Sequence, residues 1–238
     1  MSSLFVNIMK HTLLTFKNLD KTNQNTFNSN FAILKQLAEQ LTYRDLNLNH
    51  QELFSDSAFR PGHAPCKFIH IFENDVMSMS VFVMRPGYTM PLHDHPMMYG
   101  LLRGIHGKLS VKSYTQHIPT DVPFVYDHSG RDVYAVAEEP TIVSPNTSCA
   151  ILTPYERNFH EITAVGGIAA FFDILSPPYD ADIPNYGTRR CQFYHAKQQT
   201  VSDLSLIRLE RIAEPLSYYC DTVEVDEAVA KSTNYCTQ

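Results

Sequence analysis

Two periodicities of apolar residues divide the chain. Residues 29–54 carry apolar side chains at helical spacing, such as Leu34 and Leu41, and this pattern predicts one or two N-terminal helices. Ser29 or Asn30 is positioned to cap the first of them. A turn-rich stretch, FRPGHAP, follows, and we expect the chain to change architecture there.

From Cys66 to about residue 197 the apolar positions alternate, and β-branched and aromatic residues are frequent. Turn signals separate ten predicted strands, at 67–73, 78–85, 89–95, 99–107, 108–115, 133–138, 141–145, 149–154, 159–166 and 168–175. Many short strands without a long helix between them are typical of an antiparallel sandwich or barrel. The stretch VSDLSLIRLERIAEP after residue 198 predicts a short C-terminal helix and then an acidic tail.

We therefore expect a mainly β protein with a single domain over residues 1–238. A helical segment at 29–58 precedes a barrel at 66–197, and the C-terminal helix and acidic tail occupy 198–238. A chain of this length can bury a substantial core.

The net charge of −6, without a basic run, argues against nucleic acid and anionic membranes as partners. No apolar run approaches transmembrane length. Five widely spaced cysteines without a CxxC motif indicate neither a disulfide framework nor a structural zinc site. A reduced, cytoplasmic monomer is the expectation. A mitochondrial presequence is the alternative, because no acidic residue precedes Asp20, although the absence of arginine counts against it.

The stretch TMPLHDHP places His93 and His95 one residue apart on a predicted strand. Alternate side chains of a strand point to the same face, so both imidazoles project together and Asp94 points the other way. Pro91 and Pro96 flank the pair, which suits a bent or edge segment. Either the two rings hold a metal ion, or one is a hydrogen-bonded core residue and the other lies on the surface.

The spacing from Gly87 through the histidine pair to Gly107 resembles the first motif of the cupins, which are double-stranded β-helix barrels that bind a metal inside. Most metal-binding cupins add a glutamate shortly after the pair, whereas this chain has no acid at residues 97–100. The third ligand is then expected from the second half of the barrel, where His160 begins a predicted strand. His70 is expected to be a buried, hydrogen-bonded ring.

Several motifs closely resemble the cysteamine dioxygenase and plant cysteine oxidase family of thiol dioxygenases. These motifs are PLHDHP, MYGLLRGIHGKLSVKSY, LTPYERNFHEI and FFDILSPPYD, in this order. The resemblance implies a mononuclear Fe²⁺ held by His93, His95 and His160, O₂ as co-substrate, and a sulfinate as product. The substrate implied is a small amino-thiol, an N-terminal cysteine of a protein or peptide, or both. With a protein substrate, the enzyme would act as an oxygen sensor.

Three neutral imidazoles leave the charge of Fe²⁺ uncompensated, and a substrate thiolate would supply a negative charge. Asp173 lies in a long apolar run, so a buried carboxylate there needs a partner. It either binds the substrate's ammonium or orients a histidine ligand, or it accepts structural hydrogen bonds from backbone amides. Tyr179 either donates a hydrogen bond near bound oxygen or packs on the preceding prolines. We place both residues among the catalytic candidates.

Some animal cysteamine dioxygenases have a tyrosine two positions after a cysteine that corresponds to Cys191, and the two side chains become cross-linked. This chain has Phe193 at that position and Tyr194 on the opposite strand face. We therefore do not expect this crosslink.

Two other function classes remain open. A cupin isomerase, or a Zn²⁺ or Ni²⁺ hydrolase, would use the same histidines, but zinc would prefer a tetrahedral site. A regulatory cupin would bind metal or a small ligand without turnover. No arginine for a substrate α-carboxylate is found in the matched motifs, which favours cysteamine or a peptide over free cysteine.

Overall fold

The computed structural model describes residues 2–17, 19–118, 132–198 and 206–224. Three helices precede the first strand, α1 (Ser3–Phe16), α2 (Gln24–Ala38) and α3 (His50–Phe54). None of the helices in these ranges is long and apolar enough to cross a membrane.

The helix predicted from residue 29 begins earlier than expected. The side chain of Asn23 accepts a hydrogen bond from the backbone N–H of Thr26, so Asn23 is the N-cap and the prediction of Ser29 or Asn30 was wrong. The helix α1 was not predicted, although its buried residues Phe5, Ile8, Met9 and others follow helical spacing.

Each of the ten predicted strands is present, with ends that differ by one or two residues. The first sheet has the strand order β15-β1-β2-β10-β4-β8. These strands are β1 (Cys66–Glu73), β2 (Ser78–Met84), β4 (Tyr99–His106), β8 (Ala150–Leu152), β10 (Ala169–Ser176) and β15 (Cys220–Thr222). Among its pairings, β1 with β15 is parallel and the others are antiparallel.

The second sheet has the order β6-β14-β13-β3-β9-β5-β7. Its strands are β3 (Thr89–Asp94), β5 (Leu109–Gln116), β6 (Val133–Ala137), β7 (Thr141–Val143), β9 (Phe159–Ala164), β13 (Phe193–Gln198) and β14 (Ile207–Ile212). A two-stranded hairpin, β11 (Asp182–Ile183) with β12 (Gly187–Thr188), stands apart from both sheets. The predicted cupin-type β barrel is confirmed by these two sheets, which enclose a cavity between them.

Part of the second sheet closes on itself. Strand β6 pairs with β14 on one edge and with the end of β5 on the other, so six strands form a ring that we call the closed ring, β6-β14-β13-β3-β9-β5. A small apolar cluster belongs to these strands and contains Leu92, Tyr114, Ala135, Phe159, Tyr194 and Leu209. The side of β3 that carries Leu92 therefore packs within the ring.

The short helix predicted for the C-terminal segment was wrong. Residues Ile207–Ile212 form β14, which pairs with β13 over six successive positions. Leu209 is fully buried in the closed ring, while Lys197 pairs with Glu210 across the two strands. This cross-strand pairing and burial outweigh the intrinsic helical preference of the segment. Of the predicted acidic tail, Asp221 lies in β15 and Glu224 is described, and the part beyond residue 224 lies outside the described residues.

The helices cover the outer face of the first sheet. Phe5 of α1 meets Phe172 of β10 edge to face, with ring centroids 6.1 Å apart. Because side chains alternate along a strand, the neighbours Phe171 and Asp173 point the other way, into the cavity. Burial of Phe172 under the helices thus fixes the direction of Asp173.

Candidate metal centre

Strands β3 and β9 bring the three predicted histidines together. His93 and His160 are direct partners in this antiparallel pair, so their side chains lie on the same face. His95 follows His93 by two residues and shares that face. One ring nitrogen from each of His93, His95 and His160 lies within 4.8 Å of the other two, and all three side chains are buried.

The register of β3 shifts between Met90 and His93, which is where Pro91 and Leu92 lie. Proline lacks an N–H for the ladder and is tolerated at such an irregularity. Strand β3 is therefore irregular before the histidine pair, but it lies between β13 and β9 and is not an edge strand.

Hydrogen bonds fix the tautomers of two of the rings. The Nδ1 of His93 lies 2.8 Å from the Pro91 carbonyl oxygen, which can only accept, so the ring donates from Nδ1. The hydroxyl of Tyr179 donates to the Asp94 carbonyl oxygen at 2.6 Å and lies 3.0 Å from Nδ1 of His95. Because a tyrosine hydroxyl carries one proton, His95 must donate from Nδ1 to that oxygen. Both rings therefore present an Nε2 lone pair to the cavity.

Burial keeps these imidazoles neutral. It lowers the pKa of His93 to about 4, and it lowers the pKa values of His95 and His160 well below the usual range. Neutral imidazole is the form that binds a metal. The Nε2 atoms of His95 and His160 face each other at 3.0 Å, and two lone pairs at that separation repel unless a proton or a cation lies between them. The residues thus fit a metal ion.

The opposite face of β3 carries Asp94. Its carboxylate accepts hydrogen bonds from the Tyr194 hydroxyl at 2.9 Å and from the backbone N–H of Gln192 at 2.8 Å. Burial raises the pKa of Asp94 to about 7. Through these two hydrogen bonds the Asp94 side chain connects β3 to the β13 segment, on the face of β3 opposite the imidazoles. Sequence reasoning predicted its direction but not its partners.

The chain after the histidine pair is also anchored. Nε of Arg189 donates to the Pro96 carbonyl oxygen at 2.7 Å, and Nη1 donates to the Ala181 carbonyl at 3.1 Å. Arg189 is 3% exposed. This contact joins segments 93 residues apart, so nothing in the local sequence pattern could have indicated it.

The three histidines line a cavity of about 320 Å³ between the two sheets. Its walls are largely apolar and include Phe82, Met90, Ile162 and Phe171. A cavity of this size suits a small ligand or the end of a chain. Apolar walls limit the number of ordered waters near the histidines.

Both catalytic candidates lie at this cavity. Asp173 lines it and is partly exposed to it, and burial raises its pKa to about 7. Tyr179 also lines it, with its single proton directed at the Asp94 carbonyl. The catalytic roles given to these two residues stay predictions.

Sequence reasoning missed the acidic residues at the rim of the cavity. Glu73 ends β1 and Glu214 follows β14, and both are exposed. His70, expected to be buried, is exposed and also lines the cavity. No lysine or arginine occurs among the cavity-lining residues in the described ranges. The charged residues of the lining are therefore acidic, and no local sequence motif indicated that they would meet at the cavity.

Cys191 lines the cavity beside Tyr179, and burial raises the pKa of its thiol to about 12. Phe193 lines the same cavity, while Tyr194 donates its hydroxyl to Asp94 on the other face. The predicted division between Phe193 and Tyr194 is confirmed.

The chain is similar in sequence to proteins of known activity. Residues 37–227 match a family model described as PCO_ADO. The chain is 33% identical over 184 residues to a 2-aminoethanethiol dioxygenase of Homo sapiens, a match that covers 71% of this chain and 66% of that protein. It is 31% identical over 211 residues to the 2-aminoethanethiol dioxygenase of Mus musculus, covering 82% and 80% respectively. Plant cysteine oxidase 1 of Arabidopsis thaliana is 30% identical over 116 residues, covering 48% of this chain and 38% of that protein.

Proposed function

The chain belongs to the PCO_ADO family, and from that premise we propose that it is an iron(II)-dependent thiol dioxygenase. The proposed reaction adds both atoms of O₂ to the sulfur of an amino-thiol and gives a sulfinate. The observation that carries the proposal is the set of three neutral imidazoles, each with one nitrogen within 4.8 Å of the other two, inside a cavity whose charged side chains are acidic.

His93, His95 and His160 would hold the iron, which when bound supplies the site at which O₂ and a thiolate react. The task of the protein is to present the three lone pairs and to keep the site dry. Pro91 and Tyr179 hold the rings of His93 and His95 through Nδ1. Such outer contacts orient metal ligands and raise their basicity. A set of three neutral ligands favours an anionic substrate atom, and a thiolate meets that requirement.

Asp173 is suited to bind the ammonium group of the substrate. It lines the same cavity as the histidines, and its carboxylate gains stability from a cation that enters this partly desolvated site. An ammonium two carbons from the sulfur occurs in both cysteamine and an N-terminal cysteine. Free cysteine would also bring an α-carboxylate to a lining that has no lysine or arginine among the described residues. The charge pattern therefore favours cysteamine or a peptide over free cysteine.

The cavity reaches the exposed side chains of His70, Glu73 and Glu214. A peptide whose N-terminal cysteine lies at the histidines would leave the barrel past these residues. If a protein N-terminus is the physiological substrate, its oxidation rate would report the oxygen supply.

The test is oxygen uptake by anaerobically purified, Fe²⁺-loaded protein, given cysteamine and a peptide with N-terminal cysteine in parallel. We expect uptake and a product that has gained two oxygen atoms, detected by mass spectrometry. The faster substrate decides between a metabolite and a protein terminus. Zn²⁺-loaded protein is the control and is expected to take up no oxygen. Absence of uptake with both thiols, at one iron per chain, would contradict the proposal and favour a non-catalytic cupin.

A further inference from the structure

Two cysteines occupy paired positions on neighbouring strands. Cys66 begins β1, Cys220 begins β15, and the two are partners in the parallel ladder between these strands. Both are free thiols, and the Cys66 Sγ donates to the Lys67 carbonyl oxygen at 3.6 Å. Neighbouring strands lie about 4.8 Å apart, and this spacing falls in the Cα separation of about 4.4–6.8 Å that disulfides span. The backbone therefore needs little movement to connect them.

The two thiols differ in access and acidity. Cys66 is completely buried, whereas Cys220 is partly exposed. The neighbouring Cys220 thiol and burial raise the pKa of Cys66, whereas the pKa of Cys220, with Cys66 beside it, is lowered. Cys220 is therefore the thiol that an external oxidant can reach, and its thiolate would be the attacking species in disulfide chemistry.

Cys220 ends a segment that forms part of the cavity wall. Residues 213–219, which we call the mouth strap, connect β14 to β15 and bring Glu214 and Tyr218 to the cavity. The ring of Tyr218 lies 5.3 Å from that of Phe193. Leu216 in the same segment is fully exposed. A segment with this exposure and few packed side chains is expected to open at low cost.

The strap is held by the packing of Tyr218 against a core cluster, by a short ladder at its end and by a small set of hydrogen bonds. Strand β15 pairs with β1 at three positions, and the Asp221 carboxylate accepts from the backbone N–H of Ala64 at 3.1 Å. The hydroxyl of Tyr88 donates to the Ser217 carbonyl oxygen at 3.3 Å. A covalent bond at Cys220 would add a fixed point two residues beyond Tyr218.

We propose that Cys66 and Cys220 form a reversible disulfide that ties the mouth strap to β1 and restricts access to the cavity. The oxidant is a low-molecular-weight disulfide such as oxidised glutathione. The Cys220 thiolate attacks one of its sulfurs and releases one glutathione thiolate. Cys66 then loses its proton and attacks the Cys220 sulfur of the mixed disulfide, which releases the second glutathione. The two protein thiols lose two electrons and two protons, and the oxidant gains both as two thiols.

The effect on turnover rests on the proposed function, whereas the disulfide itself does not. Cysteamine is small enough to enter without displacing the strap. A peptide needs the space between Glu214 and Tyr218 for the residues after its cysteine. Oxidation is therefore expected to lower the rate with a peptide more than the rate with cysteamine.

The first test is disulfide mapping of the full-length protein equilibrated in glutathione buffers of increasing oxidised fraction. We expect a crosslinked peptide pair that contains Cys66 and Cys220, lighter by two hydrogens, which dithiothreitol reverses. Cys149→Ser is the matched control and should retain the link, because Cys149 is buried in the core beneath the helices. Cys220→Ser changes a partly exposed position and should not form the crosslink. Absence of the link at every ratio, or linkage of Cys220 to Cys191 or Cys236 instead, would overturn the proposal.

The second test measures the strap and the activity separately. Amide hydrogen exchange over residues 213–219 should slow about tenfold on oxidation of the parent protein and should not change in Cys220→Ser. With iron-loaded protein, oxidation should lower kcat/KM for the peptide about tenfold and that for cysteamine much less. Equal exchange in the two redox states would refute the role of the strap, whether or not the protein is an active dioxygenase.

Discussion

The hydroxyl of Tyr179 connects the metal centre to the backbone of β3, and its removal tests whether this contact positions His95. In Tyr179→Phe, the Asp94 carbonyl loses a donor at 2.6 Å and the Nδ1–H of His95 loses an acceptor at 3.0 Å. His95 is 2% exposed, so water is a poor replacement. Each buried group left without a partner costs about 1–3 kcal/mol.

These costs divide between folding and metal binding. The lost bond to the Asp94 carbonyl should lower the free energy of unfolding by about 1 kcal/mol with or without metal. The freed His95 ring can also take the other tautomer, in which Nε2 carries the proton and cannot bind a metal. We expect metal affinity to fall about 10–100-fold, as for other outer contacts to ligating histidines.

The assay is a competition titration with Co²⁺ or Zn²⁺, followed by urea unfolding of the metal-free protein. Tyr194→Phe is the matched control, since its hydroxyl donates to the Asp94 carboxylate on the other face of β3. Tyr194→Phe should lower the free energy of unfolding but should change metal affinity less than Tyr179→Phe does. Unchanged metal affinity in Tyr179→Phe, together with normal folding, would refute the inferred tautomer of His95.

Four further predictions concern the third ligand, Asp173 and a buried arginine. His160→Ala should abolish iron retention while circular dichroism shows a folded barrel, and full iron content in that variant would disprove the ligand assignment. Asp173→Asn should lower turnover about 100-fold and iron content much less, and equal losses would indicate a structural role. Because the pKa of Asp173 is raised from 3.8 to about 7, the metal-free protein should lose stability as the pH rises through that range. At pH 8 the free energy of unfolding of Asp173→Asn should then exceed that of the parent protein by about 2 kcal/mol. This is half the free energy that corresponds to about three pKa units, because the carboxyl is partly exposed. A difference in urea unfolding that does not depend on pH would contradict this prediction. Arg103→Met should cost about 3 kcal/mol in urea unfolding, since its buried guanidinium donates to the carbonyls of residues 41, 145 and 147, whereas exposed Arg85→Met should cost almost nothing.

The strands of the barrel and the histidine pair were predictable because each depends on a local pattern. Alternation of apolar residues identified the ten strands that the structure describes from Cys66 to Ser176. The same alternation placed His93 and His95 on one face and Asp94 on the other, as the hydrogen bonds confirm. Local periodicity is informative where one strand face is buried and the other is not.

The remaining features depend on contacts between distant parts of the chain. The segment around Leu209 has helical propensity, and only its pairing with β13 makes it a strand. Arg103 alone in a strand pattern indicates a surface charge, yet it is 4% exposed and bonds to the loop after α2. Glu214 and Tyr218 line the cavity because the segment that follows β14 runs along it. For the contacts of Arg103 and Tyr218, no short window of sequence contains both partners.

The two faces of β3 divide the work of the site between metal binding and support. On the cavity face, neutral imidazoles and apolar walls leave the negative charge to Asp173 and the rim glutamates. On the face of β3 that points into the closed ring, the Asp94 carboxylate accepts hydrogen bonds from Tyr194 and a backbone amide, so it does not face the metal or substrate. A carboxylate at position 93 or 95 would bring an anion to the metal and remove the need for an anionic substrate atom. Alternation along β3 thus keeps the ligand set neutral, and this neutrality is what the proposed thiolate substrate requires.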